Sequence, residues 1–145
     1  MNPRSVAAIR YLDARELKEW ICQGVTSQNE SFQVIDARGS DYIGGHIAKC
    51  WNYPYRDLRD NETVVKELRE RLKNRYDGII NCVFHCAQSQ QRGPAAAMLF
   101  LRSLPDHELA SFRIWILRGG FIHWQQEYGE DPALTEAYNR ELWSM

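Results

Sequence analysis

The chain has 145 residues, 44% of them hydrophobic and 26% charged, with a formal net charge of -1. That length supports one domain with a real core and is short for two. The near-neutral balance gives no basic footprint for nucleic acid and no acidic tail, so any partner has to be found in a local site.

No apolar leader opens the chain and no run of about 18 apolar residues occurs, so the sequence predicts neither secretion nor membrane insertion. The four cysteines, Cys22, Cys50, Cys82 and Cys86, have no C-x-x-C spacing and no histidine cluster suited to zinc. Free thiols in a reducing, cytoplasmic compartment are the expectation, with passage into the nucleus left open by the small size.

Ile9–Leu12 reads as a short strand. Asp13 to Glu16 has the spacing of a capping box, and Leu17, Trp20 and Ile21 form an apolar stripe that Gly24 ends. Phe32–Ala37 is a compact apolar strand. The stretch from Ser40 predicts a short helical turn, a break at Gly44-Gly45, and a return to extended chain near Trp51–Pro54. Residues 62–76 show helical spacing at Val64, Val65, Leu68 and Leu72, closed by Gly78. Ile79–His85 is nearly continuous apolar chain, the kind buried on both faces of a parallel sheet. Helix is expected from Gly93 to Leu104, strand over Arg113–Leu117, a turn at Gly119-Gly120, and helix over Phe121–Tyr128. This alternation predicts one α/β domain, residues 1–145, with a mostly parallel sheet and helices on both faces.

Ligands in such sheets sit beyond the carboxyl ends of the strands. Cys86 lies at that end of the 79–85 strand, followed by Ala87, Gln88, Ser89, Gln90, Gln91 and Arg92, then Gly93-Pro94 and a helix. The insert carries no carboxylate. A loop of this size can turn its N–H groups onto a tetrahedral oxyanion. The helix start adds its positive dipole end, and Arg92 adds a two-pronged donor. The same field favours the thiolate of Cys86, the nucleophilic form. A strand-end cysteine is often only a small buried hydrophobe; here the flanking strand, the Arg-Gly-Pro and the helix supply the context that a Cys-x5-Arg pattern needs. The expected chemistry is in-line attack of Cys86 on phosphorus, with residues 87–92 holding the anion.

The stretch H-C-A-Q-S-Q-Q-R-G-P resembles the active loop of the cell-division-cycle dual-specificity phosphatases and of the fungal arsenate reductases, both of the rhodanese-like superfamily. V-I-D-A-R (34–38) with G-G-H-I (44–47) resembles that superfamily's first signature, and L-R-G-G-F-I-H-W (117–124) its second. Within the group the chain is most similar to small fungal single-domain phosphatases. The resemblance implies a three-layer sandwich around a five-stranded sheet and hydrolysis of phosphomonoesters, such as aryl phosphates or phosphoprotein, with no metal or cofactor. Arsenate reduction with glutathione or glutaredoxin is the alternative; a non-catalytic binding module and sulfur transfer rank behind it. Sulfurtransferases carry a loop one residue shorter. By resemblance Cys86 is the nucleophile, Arg92 the anion clamp and residues 87–91 the cradle, with Ser89 placed to contact the anion or ease departure of the thiolate.

Other positions read as structural. His85 is expected to support the loop through backbone carbonyls, Asp36 and Arg38 to pair at the strand end, and His46 and Trp124 to be core. Trp51, Tyr53 and Tyr55 read as core packing. Two departures from the family pattern stand out. The cell-cycle phosphatases carry glutamates in the loop where this chain has Ala87 and Gln91, leaving only Asp41 and Asp57 as candidate proton donors. They also carry a second cysteine where Ala37 stands here. The physiological substrate and the oligomeric state are not encoded in any recognisable segment.

Overall fold

A computed structural model describes residues 3–144. Its centre is a five-stranded, wholly parallel sheet in the order β1-β6-β5-β2-β4, formed by Ile9–Leu12 (β1), Ser31–Asp36 (β2), Trp51–Asn52 (β4), Ile80–His85 (β5) and Phe112–Leu117 (β6). The expected three-layer α/β sandwich is the observed fold. All six residues of β5 are buried, as befits a strand flanked by β2 and β6 and covered on both faces.

Side-chain alternation along the strands divides the core in two. Ile80, Cys82 and Phe84 face one layer with Ile35, Ile114 and Ile116; Leu58, Leu68, Leu72, Ala97 and Phe100 cover them. Those covering residues come from Tyr55–Asp60 (α2), Glu62–Arg75 (α3) and Arg92–Ser103 (α4). Val34, Val83 and Leu117 face the other way, against Leu17 and Trp20 of Ala14–Gln23 (α1) and Phe121 and Trp124 of Gly120–Tyr128 (α5). Trp51, Tyr53 and Tyr55 join the first cluster as expected, with the Arg71 guanidinium 3.8 Å from the Trp51 ring centre.

Several local expectations are corrected. Asp13 does not cap α1 through its side chain; its carboxylate instead pairs with Arg118 at 3.0 Å. The short helical turn expected from Ser40 is reduced to a single turn, closed by Tyr42 N–H donating to the Gly39 carbonyl. Helix α2 was not foreseen, because a proline followed by six mixed-polarity residues has no clear period. The same is true of the antiparallel pair His46–Ile47 (β3) with Thr135–Glu136 (β7) and of Arg140–Trp143 (α6), each too short to carry a pattern. Gly24 ends α1 with φ +82°, as anticipated.

Where β2 ends, Asp36 and Arg38 form a fully buried ion pair with Nη2–Oδ2 2.8 Å. Arg38 also donates from Nε to both carboxylate oxygens and from Nη2 to the Gly45 carbonyl, while its guanidinium lies 4.4 Å from the Phe121 ring centre. The expected pair is therefore present and does more than close the strand. It ties the 39–45 segment and α5 to the sheet. Gly44 and Gly45 take φ +77° and +119°, backbone that suits glycine. Replacing Arg38 with Met strands the Asp36 carboxylate in the core and is expected to cost about 3–5 kcal/mol in urea unfolding at pH 7. Adding Asp36→Asn should recover part of that loss; full additivity of the two changes is the contrary result.

Candidate active site

The segment 86–91 leaves the carboxyl end of β5 and enters α4 at Arg92, so the arginine is the first helical residue rather than the last of the loop. Two glycines let helices approach it from opposite layers. A Cβ on Gly93 of α4 would meet His85 and Cys86 backbone atoms at 3.0–3.1 Å. A Cβ on Gly120 of α5 would meet the Ala87 and Cys86 carbonyl oxygens at 2.5 and 2.6 Å, and Gly120 has φ +60°. The anticipated close approach of the Gly119-Gly120 turn is the observed one.

Those contacts fix the loop's peptide planes. Phe121 N–H donates to the Cys86 carbonyl at 3.0 Å and Ile122 N–H to the Ala87 carbonyl at 2.9 Å. The first N–H groups of α5, which have no partner within their own helix, are thus satisfied by the loop. His85 Nδ1 bonds the same Cys86 carbonyl at 3.0 Å, which requires the proton on Nδ1. Burial pushes the His85 imidazole down from its ordinary value, with Asp36 opposing, so the ring is neutral. This is the supporting role expected from sequence. In a trans peptide the N–H points opposite to the carbonyl, so the N–H groups of Ala87 and Gln88 face away from α5. Among the described residues, no protein acceptor takes the N–H of residues 87–91.

Cys86 is 3% exposed and belongs to neither apolar cluster. Ser89 is buried with φ +56°, and its Oγ has no hydrogen-bond partner among the described residues. Ala87 is half-buried, whereas Gln88, Gln90 and Gln91 are exposed. The loop therefore contributes its backbone, one hydroxyl and one thiol, with the glutamine side chains turned to solvent.

Arg92 is engaged elsewhere. Its Nη1 and Nη2 donate to Asp41 Oδ1 and Oδ2 at 2.7 and 2.6 Å. Those hydrogen bonds hold the Asp41 carboxyl below the ordinary aspartate range, so it is ionised at neutral pH and, while paired, is no proton donor. Asp57 is exposed on α2, with no bond to the loop. The partnership of Asp41 with Arg92 is the feature of the site that spacing did not reveal, since fifty-one residues separate them.

The remaining signature residues are structural. His46 is stacked on Tyr42 with centroids 5.3 Å apart and lies 3.5 Å from Glu136, at the edge of the core rather than inside it. Trp124 is fully buried and donates to Thr135 Oγ1 at 3.0 Å. All four cysteines are free. Burial raises the Cys82 thiol and pushes Cys50 up to about 12, so both stay protonated at neutral pH. Cys50 Sγ is 3.6 Å from both Tyr42 Oη and His46 Nδ1. Among the described residues no three His, Cys, Asp or Glu side chains group as a metal site, and no helix is long and apolar enough to cross a membrane.

The chain is similar to several known proteins. The chain is 47% identical over 147 aligned positions to the CDC25-like phosphatase YCH1 of Saccharomyces cerevisiae, covering 99% of each. It is 30% identical to the Arsenical-resistance protein 2 of the same yeast, covering 81% of this chain and 88% of that one. The crystal structure of yeast Ygr203w, described as a homolog of single-domain rhodanese and the Cdc25 phosphatase catalytic domain, superposes with a TM-score of 0.94 at 47% identity, covering 99% of this chain and 97% of that one. The As-Sb reductase of Leishmania major superposes with a TM-score of 0.64 at 28% identity over 88% and 84% of the two chains. Residues 12–127 match the Rhodanese-like domain family, and with these likenesses in sequence and architecture the chain belongs to that family.

Proposed function

We propose that this chain is a phosphomonoesterase that uses Cys86 as nucleophile and Arg92 with the 87–91 backbone as its oxyanion seat. The observation that carries it is the loop's geometry. The Cys86 and Ala87 carbonyls are held by α5, which turns the N–H groups of Ala87 and Gln88 away from α5, and Arg92 opens the helix that packs on the opposite layer. Charge on the transferring phosphoryl group is met by fixed dipoles and one guanidinium, so the scheme calls for no metal. Its likeness to the yeast CDC25-like phosphatase over the full chain supports the same assignment.

In the first step the Cys86 thiolate forms the S–P bond as the P–O bond to the leaving group breaks, and the electron pair departs on that oxygen. In the second, water attacks phosphorus, the S–P bond breaks, and inorganic phosphate leaves with the thiolate restored. No carboxylic acid occupies the loop, and Asp41 is ionised against Arg92, so the leaving oxygen departs without a positioned proton donor. Phenols tolerate that and alkanols do not. Phosphotyrosine-like esters are therefore the substrate class we assign, with the cytoplasm as the site of action. Arsenate reduction is the second reading. In that reading Cys86 forms an As–S bond as one arsenate oxygen leaves as water, and glutathione supplies the two electrons that release arsenite; one relative is named for arsenical resistance and one as an As-Sb reductase.

Hydrolysis of p-nitrophenyl phosphate in EDTA should fall by about 10³-fold or more in Cys86→Ser; retention of activity removes the proposed nucleophile. Phenyl phosphate esters should exceed alkyl esters in kcat/KM by at least the ~10²–10⁴-fold that acid catalysis normally contributes. Equal rates would reveal a donor and contradict the assignment. Arsenite formed from arsenate with glutathione and glutaredoxin, in a preparation inert to aryl phosphate, selects the second reading. Gly120→Ala forces the Cys86 and Ala87 carbonyls to move by roughly 1 Å and should lower kcat/KM about 10²-fold. A crystal structure of that variant with the loop unmoved is the outcome against it.

A further inference from the structure

An incoming oxyanion meets an Arg92 whose Nη1–Nη2 edge is already occupied. Nη1 and Nη2 meet Asp41 Oδ1 and Oδ2 at 2.7 and 2.6 Å, the parallel two-bond arrangement that a guanidinium also offers to two oxygens of a phosphate. The carboxylate thus takes one of the edges on which the guanidinium could receive two phosphoryl oxygens, leaving the Nε–H side open. We propose that Asp41 is an internal competitor for the oxyanion seat, which substrate, product and inhibitor displace from the Nη1–Nη2 edge of Arg92 and which thereby lowers the affinity of the site. This inference rests on the phosphatase reading given above.

The contact is a built one. Asp41 Oδ1 also accepts from Gly39 N–H at 3.1 Å, and the turn that presents it is closed by Tyr42 N–H on the Gly39 carbonyl. The Asp41 carbonyl is 3.4 Å from Arg38 Nη1, and Arg38 is itself fully buried against Asp36. The carboxylate is therefore presented by a turn anchored in the core. Its bond with Arg92 nevertheless lies at the surface, with side-chain exposures of 37% for Arg92 and 43% for Asp41. An ion pair this exposed is worth little enough for a strong oxyanion to break it. Whether the freed carboxylate stays near or swings out, its charge opposes the incoming anion, so exchange and repulsion act in the same direction. The penalty falls equally on everything that needs the fork, which makes it uniform binding lost rather than transition-state stabilisation lost.

The test is calorimetric titration of sodium tungstate and of inorganic phosphate into the full chain, the Asp41→Asn variant and the Asp41→Glu variant. Asn retains an acceptor for Gly39 N–H while removing the charge; Glu restores it. Asp41→Asn should bind both anions about two- to fivefold more tightly, the upper range for a partly exposed two-bond pair. Asp41→Glu should return to within about twofold of the parent. KM for p-nitrophenyl phosphate should fall by the same factor as the phosphate dissociation constant. Unchanged or weaker anion binding by a folded Asp41→Asn overturns the inference and leaves the phosphatase reading standing. If neither parent nor variant binds tungstate or phosphate, the oxyanion seat itself is refuted and the competitor with it. Should Asp41→Asn fail to fold, the parent protein suffices: the ¹³Cγ resonance of Asp41 should move on saturation with tungstate, and a stationary resonance rejects displacement.

Discussion

The carbonyl oxygen of Cys86 accepts from two donors, Phe121 N–H and His85 Nδ1, and the placement of the candidate site depends on that oxygen. Two donors on one carbonyl fix the orientation of the Cys86-Ala87 peptide, and a planar peptide then dictates where the next N–H points. Gly120 makes the arrangement possible, since a side chain there would collide with the two carbonyls being held. The histidine contributes only as a neutral donor of one tautomer, and burial keeps it neutral. His85 thus supports the loop beside Cys86 through hydrogen-bond geometry.

A second layer of support lies one strand away. The Asp36–Arg38 pair is expensive to bury, and its partners include the 39–45 segment through Asp41 and Gly45. That segment in turn presents the Asp41 carboxylate to Arg92. The buried pair and the exposed pair are therefore one chain of contacts, from the sheet interior to the mouth of the loop. This gives a surface carboxylate a more defined position than surface carboxylates usually have, while the bond it makes remains weak enough to exchange.

The strands were legible because each is short, apolar and bounded by polar or glycine residues; β2, β5 and β6 fall within a residue or two of where the pattern puts them. The same holds for α3 and α4, whose apolar positions recur at helical spacing. The elements that went unseen, α2, α6 and the β3–β7 pair, are held by tertiary contacts: Trp143 Nε1 donates to the Gly44 carbonyl, and Ile47 and Thr135 find each other across most of the chain. Local periodicity has nothing to say about such pieces. At the site, Cys86, Arg92 and the loop between them were legible as a pattern, as were the supporting role of His85 and the pairing of Asp36 with Arg38. The Asp41–Arg92 contact was not, since a distant carboxylate meeting an arginine leaves no spacing to read. The missing cap at Asp13 is the opposite failure, a valid local motif overridden by Arg118.

The helices that meet the loop come from different layers. Gly93 belongs to α4 in one and Gly120 to α5 in the other, yet both press on the backbone around Cys86. The loop is thus a keystone between two halves of the core rather than an appendage on one of them. A shift of this backbone cannot be taken up by one helical layer alone, because a glycine of each layer is packed directly on it.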